Sequence, residues 1–354
     1  MASTFTLTCP LPLEVTDRVL LGHGSGGKLS AALLSDVFFR AFRSPVLARM
    51  DDQAVFEIGG TRLAFTTDTF VVKPLFFRGG DIGSLAVHGT VNDLAMGGAM
   101  PLYLSAGFIL EEGLDMDVLR RVAASMARAS QSTGAEIVTG DTKVVEKGCG
   151  DGLFINTTGI GVVREGVGLS AANARPGDCV IVSGTLGDHG MAILSEREGI
   201  GFDTSIVSDS APLHTLVRTM LDATAEVSLH DIRCMRDPTR GGLASSLNEI
   251  AACARVGVEL IETAIPIREE VRGACEMLGL DPLYVANEGK LLAIVAPGAA
   301  DAVLAAMLRH PLGGDARVIG KVSGKHPGLV TVRTAFGTSR IVDMLSGDQL
   351  PRIC

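Results

Sequence analysis

Cys354 closes the string Pro351-Arg352-Ile353-Cys354 and is the residue with the most chemistry to offer. A thiol there has no folding role inside an element. It would sit on a tethered arm, as a carrier or self-modifying enzyme requires. The string is not a prenylation signal, which puts its cysteine fourth from the end. Pro351 would stiffen the arm, and Arg352 would offset a terminal carboxylate that otherwise raises the thiol pKa. A second set of reactive side chains is acidic: Asp51, Asp52, Asp68, Asp93 and Asp141, with Asn92 beside Asp93. Singly, such aspartates are more often caps or turn residues. As a set of hard oxygen ligands they suit Mg²⁺ bridging nucleotide phosphates. Lys28, Lys73 and Lys143 accompany them, and the spacing of Asp141 and Lys143 puts both on one side of an extended segment.

Gly22-His-Gly-Ser-Gly-Gly27-Lys28 approaches the P-loop pattern, but Leu29 stands where the Mg²⁺-holding hydroxyl belongs. A flexible turn before a helix, or a glycine-rich phosphate lid of another type, remains open for this stretch. Arg236-Asp-Pro-Thr-Arg240-Gly-Gly-Leu has the makings of an anion cradle, or of an ordinary loop with a helix cap. Glu288, just before an apolar run, is a general base if desolvated and a solvated loop carboxylate if not. His189 in Gly187-Asp-His-Gly190 reads as a structural hydrogen-bonding residue.

The elements that must position these groups alternate, which gives an α/β or α+β class. Helical periodicity is expected over 28–42, 81–96 and 115–131. Strands are expected at 62–67 and 135–139, ending at Asp68 and Asp141, where two strand ends on one edge would share a cleft. Further helices are expected at 212–223, 242–255, 268–278 and 299–308. Further strands are expected at 153–163, 179–183, 291–295, 317–322 and 328–334. A Gly- and Ala-rich stretch around 166–177 marks the domain boundary. This divides the chain into 1–165, 166–336 and a flexible tail, 337–354.

The 354 residues are 47% hydrophobic and 20% charged, a globular composition with room for two domains. A formal charge of −9 argues against nucleic acid or an anionic membrane as partner, since both demand a basic field. The seven cysteines are odd in number and form no C-x-x-C, so neither a zinc site nor a disulfide framework is expected. That suits a reducing compartment, the cytoplasm. The first 13 residues lack a leader pattern, and no apolar run reaches the roughly 18 residues that span a bilayer.

In order, GHGSGGK, MDD, TTDTFVVKP, GTVNDLAMGGA, TGDTKVV, SGTLGDHG, RDPTRGGL and VANEGK, closed by PRIC, closely resemble the HypE family. These are hydrogenase-maturation proteins that make the cyanide ligands of nickel–iron hydrogenases. The strings through TGDTKVV also resemble, more loosely, the wider superfamily of aminoimidazole ribonucleotide synthetase, selenophosphate synthetase and thiamine-monophosphate kinase. The resemblance spans nearly the whole chain. It implies a two-domain aminoimidazole ribonucleotide synthetase-like fold whose N-terminal domain binds ATP and forms a homodimer. It implies a carbamoyltransferase partner, HypF, that loads a carboxamide onto Cys354. ATP-dependent dehydration to a thiocyanate follows, and the cyano group passes to iron on a HypC–HypD complex. By the same resemblance Asp51, Asp52, Asp68, Asp93 and Asp141 hold Mg²⁺. Lys28, Asp52, Asp68, Asn92, Asp93, Asp141 and Thr142 bind the nucleotide. Cys354 carries the substrate, Lys143 neutralises the transferred phosphate and Glu288 takes the amide proton. A small-molecule ATP-dependent synthetase or kinase of the same superfamily would leave Cys354 dispensable, and a nucleotide-switched scaffold would leave it unmodified.

Overall fold

The computed structural model describes residues 18–197, 206–224, 228–347 and 353–354. The N-terminal stretch 1–17, Pro351 and Arg352 lie outside the described residues.

Five strands form the first sheet: β1 (Ala54–Ile58), β2 (Thr61–Phe70), β3 (Ala99–Glu111), β4 (Glu136–Val145) and β5 (Leu153–Val163), in the order β1-β2-β5-β3-β4. Only β3 and β4 run parallel, joined by the Met116–Thr133 helix. The Ile82–Met96 helix covers one face, capped by the Asp81 carboxylate, which accepts from the Gly83 and Ser84 amides. That helix is buried nearly all round, as an apolar helix pressed between two layers must be. Strand β5 alternates buried and half-buried residues along its length, so one sheet face packs on the helix and the other does not. The second face carries Phe65, Tyr103 and Ile109, each more than two-fifths exposed.

Seven strands form the second sheet: β6 (Cys179–Val182), β7 (Ile232–Arg236), β8 (Gly257–Ile261), β9 (Leu292–Val295), β10 (Arg317–Ser323), β11 (Val330–Arg333) and β12 (Ser339–Val342). Their order is β12-β11-β8-β10-β6-β9-β7. Residues 339–342, expected within a flexible tail, are therefore an edge strand paired with β11.

Two expected strand ends are not ends. β2 runs on through Asp68 to Phe70, and β4 through Asp141 to Val145. Gly140 resembles a terminator in sequence, but a Cβ there would lie 2.1 Å from the Ala106 carbonyl, so it is a close-approach glycine inside a strand. Strand β3 escapes the pattern because Pro101 suggests a stop; the proline sits at a register shift in its pairing with β5.

Asn92 joins the two layers. Its amide donates to the carbonyls of Ala211 (3.1 Å) and Glu288 (3.3 Å), and its oxygen accepts from the Leu213 amide (2.7 Å). The residue is fully buried and its hydrogen bonds go to backbone, so it is a scaffold residue rather than the nucleotide contact expected. Asn92→Ala would remove three hydrogen bonds to backbone groups and should lower stability by about 2–4 kcal/mol in chemical denaturation. A loss below about 0.5 kcal/mol would contradict the clamp.

Candidate functional site

The two glycine motifs meet face to face. Gly26 and Gly241 both have positive φ, at +73° and +79°. A Cβ on Gly26 would strike the Arg240 carbonyl, and one on Gly241 would strike the Ser245 hydroxyl, so both positions need glycine for conformation and for space. Their contact forms the floor of a cleft of about 740 Å³, a volume suited to a nucleotide. Leu33, Leu34, Phe38, Phe39, Val46 and Leu47 give it an apolar wall. Opposite stand Asp51, Asp52, Thr66, Arg236, Asp237, Arg240, Ser246 and Glu249.

The acids converge here. Asp52 is ion-paired with Arg236, whose other amino group donates to the Met50 carbonyl. Asp51 lies 3.9 Å from Arg236, and Asp68 3.8 Å from Arg240. Asp93 accepts from the Thr66 hydroxyl at 2.9 Å. Burial raises the carboxyl pKa of Asp52 and Asp68, with Arg236 and Arg240 respectively opposing it. Burial raises Asp93 and Asp237 much further, and the neighbouring carboxylates add to the rise.

Cys354 sits at the inner end of this cluster. It is 8% exposed and packs with Phe70, Ile193, Ala286 and Ile353. The Val71 amide donates to its backbone oxygen at 3.0 Å. Burial pushes the thiol up to about 12, against the pull of Arg240, with Glu288 and Asp68 as its acidic neighbours. A thiol held here is protonated and a poor nucleophile. Glu288 is 2% exposed, and its Oε1 has no hydrogen-bond partner among the described residues. Burial holds its pKa well above the ordinary value, and Asp68, Asp237 and Asp209 add to the rise. The Glu288 amide donates to Asp209 at 3.0 Å, which fixes the loop.

Not every expected site residue joins this cluster. Lys28 pairs with Asp343 at 2.5 Å, away from the cleft. Asp141, Thr142 and Lys143 lie on β4, three strands from β2 and about 14 Å away at the usual strand spacing. Asp68 faces Thr157 on the helix-covered side, whereas Asp141 shares a cross-strand row with Gly107, Asn156 and Thr69 on the open side. A period of two residues decides the face, and strand ends alone do not reveal it. Asp141 and Lys143 do pair, at 2.5 Å, as their spacing suggests. Sequence reasoning passed over Asp237, which lies between the two arginines it had singled out.

The comparisons with known proteins agree with this architecture. Residues 50–163 match the model of AIR synthase related protein, N-terminal domain, and residues 175–332 that of the C-terminal domain. A carbamoyl dehydratase HypE of Bradyrhizobium diazoefficiens is 58% identical over 94% of this chain and 95% of its own length. The chain belongs to the HypE family. Among solved structures, a HypE–HypF complex matches with a TM-score of 0.83 at 49% identity, covering 89% of this chain and all of that one. HypE in complex with ATP matches with a TM-score of 0.79 at 51% identity, covering 95% of this chain and all of that one. Among the described residues no helix is long and apolar enough to cross a membrane.

Raised carboxyl pKa values have a definite sign. A proton held more tightly in the folded state stabilises it at low pH, and that contribution disappears as pH rises through the folded pKa. Glu288→Gln removes the cost of ionising a buried acid. The ligand-free variant should melt about 2–6 °C above the parent at pH 8, with the gain vanishing by about pH 4. A gain that is constant or grows on acidification would contradict the burial of an ionising Glu288.

Proposed function

We propose that this chain dehydrates a carboxamide carried on its own Cys354 to a thiocyanate, consuming ATP and supplying cyanide for the iron of nickel–iron hydrogenases. The observation that carries the reading is the seated thiol beside a buried carboxylate with a free oxygen. A carboxamide on that sulfur would bring N–H donors to the unpartnered Glu288 Oε1, the one group missing from its surroundings.

The chemistry follows from the arrangement. The amide oxygen attacks the terminal phosphoryl group of ATP, and the bond to the ADP oxygen breaks. Glu288 takes a proton from the amide nitrogen, leaving a phosphorylated imidate. Loss of the second N–H proton and cleavage of the carbon–oxygen bond release phosphate and leave S–C≡N. The elements of water end in ADP and phosphate. A carboxyl group with a raised pKa is the stronger base for the first proton. Arg240 lies between cleft and thiol, where it would meet negative charge as the phosphoryl group moves.

The acid cluster fits a Mg²⁺ ion. Asp52, Asp68, Asp93 and Asp237 are hard oxygen donors whose burial leaves them short of positive charge. Mg²⁺ is commonly held by one or two carboxylates together with substrate phosphates and water. When bound, the ion neutralises phosphate charge. Asp51, Asp52, Asp68 and Asp93 of the reading lie where they could hold it.

A homodimer belongs to the same proposal. The open face of the first sheet carries Tyr103 and Ile109, and with them Asp141 and Lys143. A second copy on that face is the route by which Asp141 and Lys143 could reach a nucleotide; Thr142, of the opposite parity, lies in the row of Phe108 and Ile155. The division at residues 165 and 166 and the cytoplasmic setting are retained. HypF as donor and HypC–HypD as acceptor are retained too. The tail of 337–354 is retained, with β12 and the contacts of Asp343, Leu345 and Gly347 to the loop of Ser25 and Lys28 as its anchor, and with Cys354 moving between loading and dehydration.

ATP turnover by the carbamoylated protein tests the reading. Cys354→Ala should keep nucleotide affinity within about twofold and lose coupled turnover altogether, and Glu288→Gln should slow it by about a hundredfold or more. Undiminished turnover in Cys354→Ala would favour a small-molecule enzyme instead.

A further inference from the structure

His189 is fully buried, yet the proposed mechanism gives it no role. Its Nε2 lies 2.6 Å from the Ile353 carbonyl, and its Nδ1 lies 2.7 Å from the Ser208 hydroxyl. We infer that His189 is a positioning residue, whose Nε2–H latches the Ile353 carbonyl and so sets the Cys354 sulfur in register with Glu288.

The tautomer follows from the partners. A carbonyl only accepts, so Nε2 carries the hydrogen. In the neutral ring Nδ1 must then accept, and Ser208 donates its hydroxyl hydrogen to it. The Ser208 oxygen accepts in turn from the Ser210 amide at 3.1 Å. Ser208 is itself pinned, its amide donating to the Arg78 carbonyl at 2.9 Å. Burial lowers the imidazole pKa, with Asp209 opposing, which keeps the ring neutral. The edge-on contact with Phe77, with centroids 5.6 Å apart, fixes the ring plane.

The latch works because His189 and Glu288 are mounted on one frame. The Gly187 amide donates to the Asn287 side chain at 2.7 Å, and the Gly190 amide to the Ala286 carbonyl at 3.1 Å. The turn that carries His189 is thereby tied on both sides to the loop that carries Glu288. A tail bonded to that turn arrives at a set distance from the base, and reacting groups misplaced by about 1 Å lose much of their rate. The remaining hold on the tail end is the Val71 amide and apolar contact, which resist withdrawal but do not fix rotation about the last residues.

The catalytic half of this inference rests on the dehydratase reading; the latch does not. The test compares full-length His189→Phe, His189→Gln and Ser208→Ala with the parent. Phe keeps ring volume without the donor, and Gln returns an N–H at the position of Nε2. In the ligand-free protein, iodoacetamide alkylation of Cys354 is followed by peptide mass spectrometry, with exposed Cys149 as internal reference. His189→Phe should alkylate Cys354 at least about tenfold faster, the cost of one lost buried hydrogen bond, with ATP binding retained. On carbamoylated protein it should lose water at least about tenfold more slowly. His189→Gln should stay within about threefold of the parent on both counts, and Ser208→Ala should fall between. Ser208→Ala leaves the ring in place and serves as the test if His189→Phe fails to bind ATP. Parental alkylation in a folded His189→Phe, parental alkylation in Ser208→Ala where that is the test, or a His189→Gln as impaired as His189→Phe would overturn the latch. A parent that never loses water would sink the dehydratase reading while the alkylation contrast still decides the latch.

Discussion

Buried negative charge is the constraint on which the rest of this molecule depends. Asp52, Asp68, Asp93, Asp237 and Glu288 converge where the two sheets meet, and two arginines, Arg236 and Arg240, face them. A carboxylate buried without compensation holds its proton or draws in a cation. The cluster is therefore poised for ligands that bring positive charge, or for protons. The surrounding fold exists to keep that cluster dry. Asn92 ties the layers together, the two glycine loops close on each other, and the tail end fills the inner side with Ile353 and Cys354. Filling that space with the thiol suppresses its ionisation.

The same sheet explains why Asp141 and Lys143 stand apart from the acid cluster. β2 presents Asp68 to the covered side, and β4 presents Asp141 and Lys143 to the open side. Both strands are long and regular, so the parity of each position is fixed by the alternation of the pleat. That open face, apolar and bearing charged residues, is the surface the proposed second copy would cover.

Much of this was legible in the sequence, for reasons that can be named. The Met116–Thr133 helix is strongly amphipathic, and its expected limits lie within two residues of those found. Glycine pairs beside arginine and lysine marked the loops that build the cleft floor, because only glycine permits that approach. Of the aspartates singled out, Asp51, Asp52, Asp68 and Asp93 share one cluster, and Asp141 does not. The face each strand presents was not legible. Gly140 and Pro101 carry the same local signals whether they end a strand or bend it, and long-range register decides which. Lys28 and Asn92 look like ligand residues by composition. Their partners, Asp343 and the backbone near residues 211–213 and 288, are distant in sequence and invisible to local pattern. His189 looked structural, as a buried hydrogen-bonding histidine does, and its partner on the tail could be found only in three dimensions.

The central claim is that the chain carries out dehydration on its own tail. Intact-protein mass spectrometry addresses it directly. The full-length protein is carbamoylated by a confirmed active donor system, freed of that donor, and then given ATP and Mg²⁺. The account predicts one carbamoyl adduct, mapped to Cys354, that loses a single water when ATP is present and keeps it when ATP is withheld. An unmodified Cys354 beside a working control, or an adduct that ATP leaves unchanged, would contradict it.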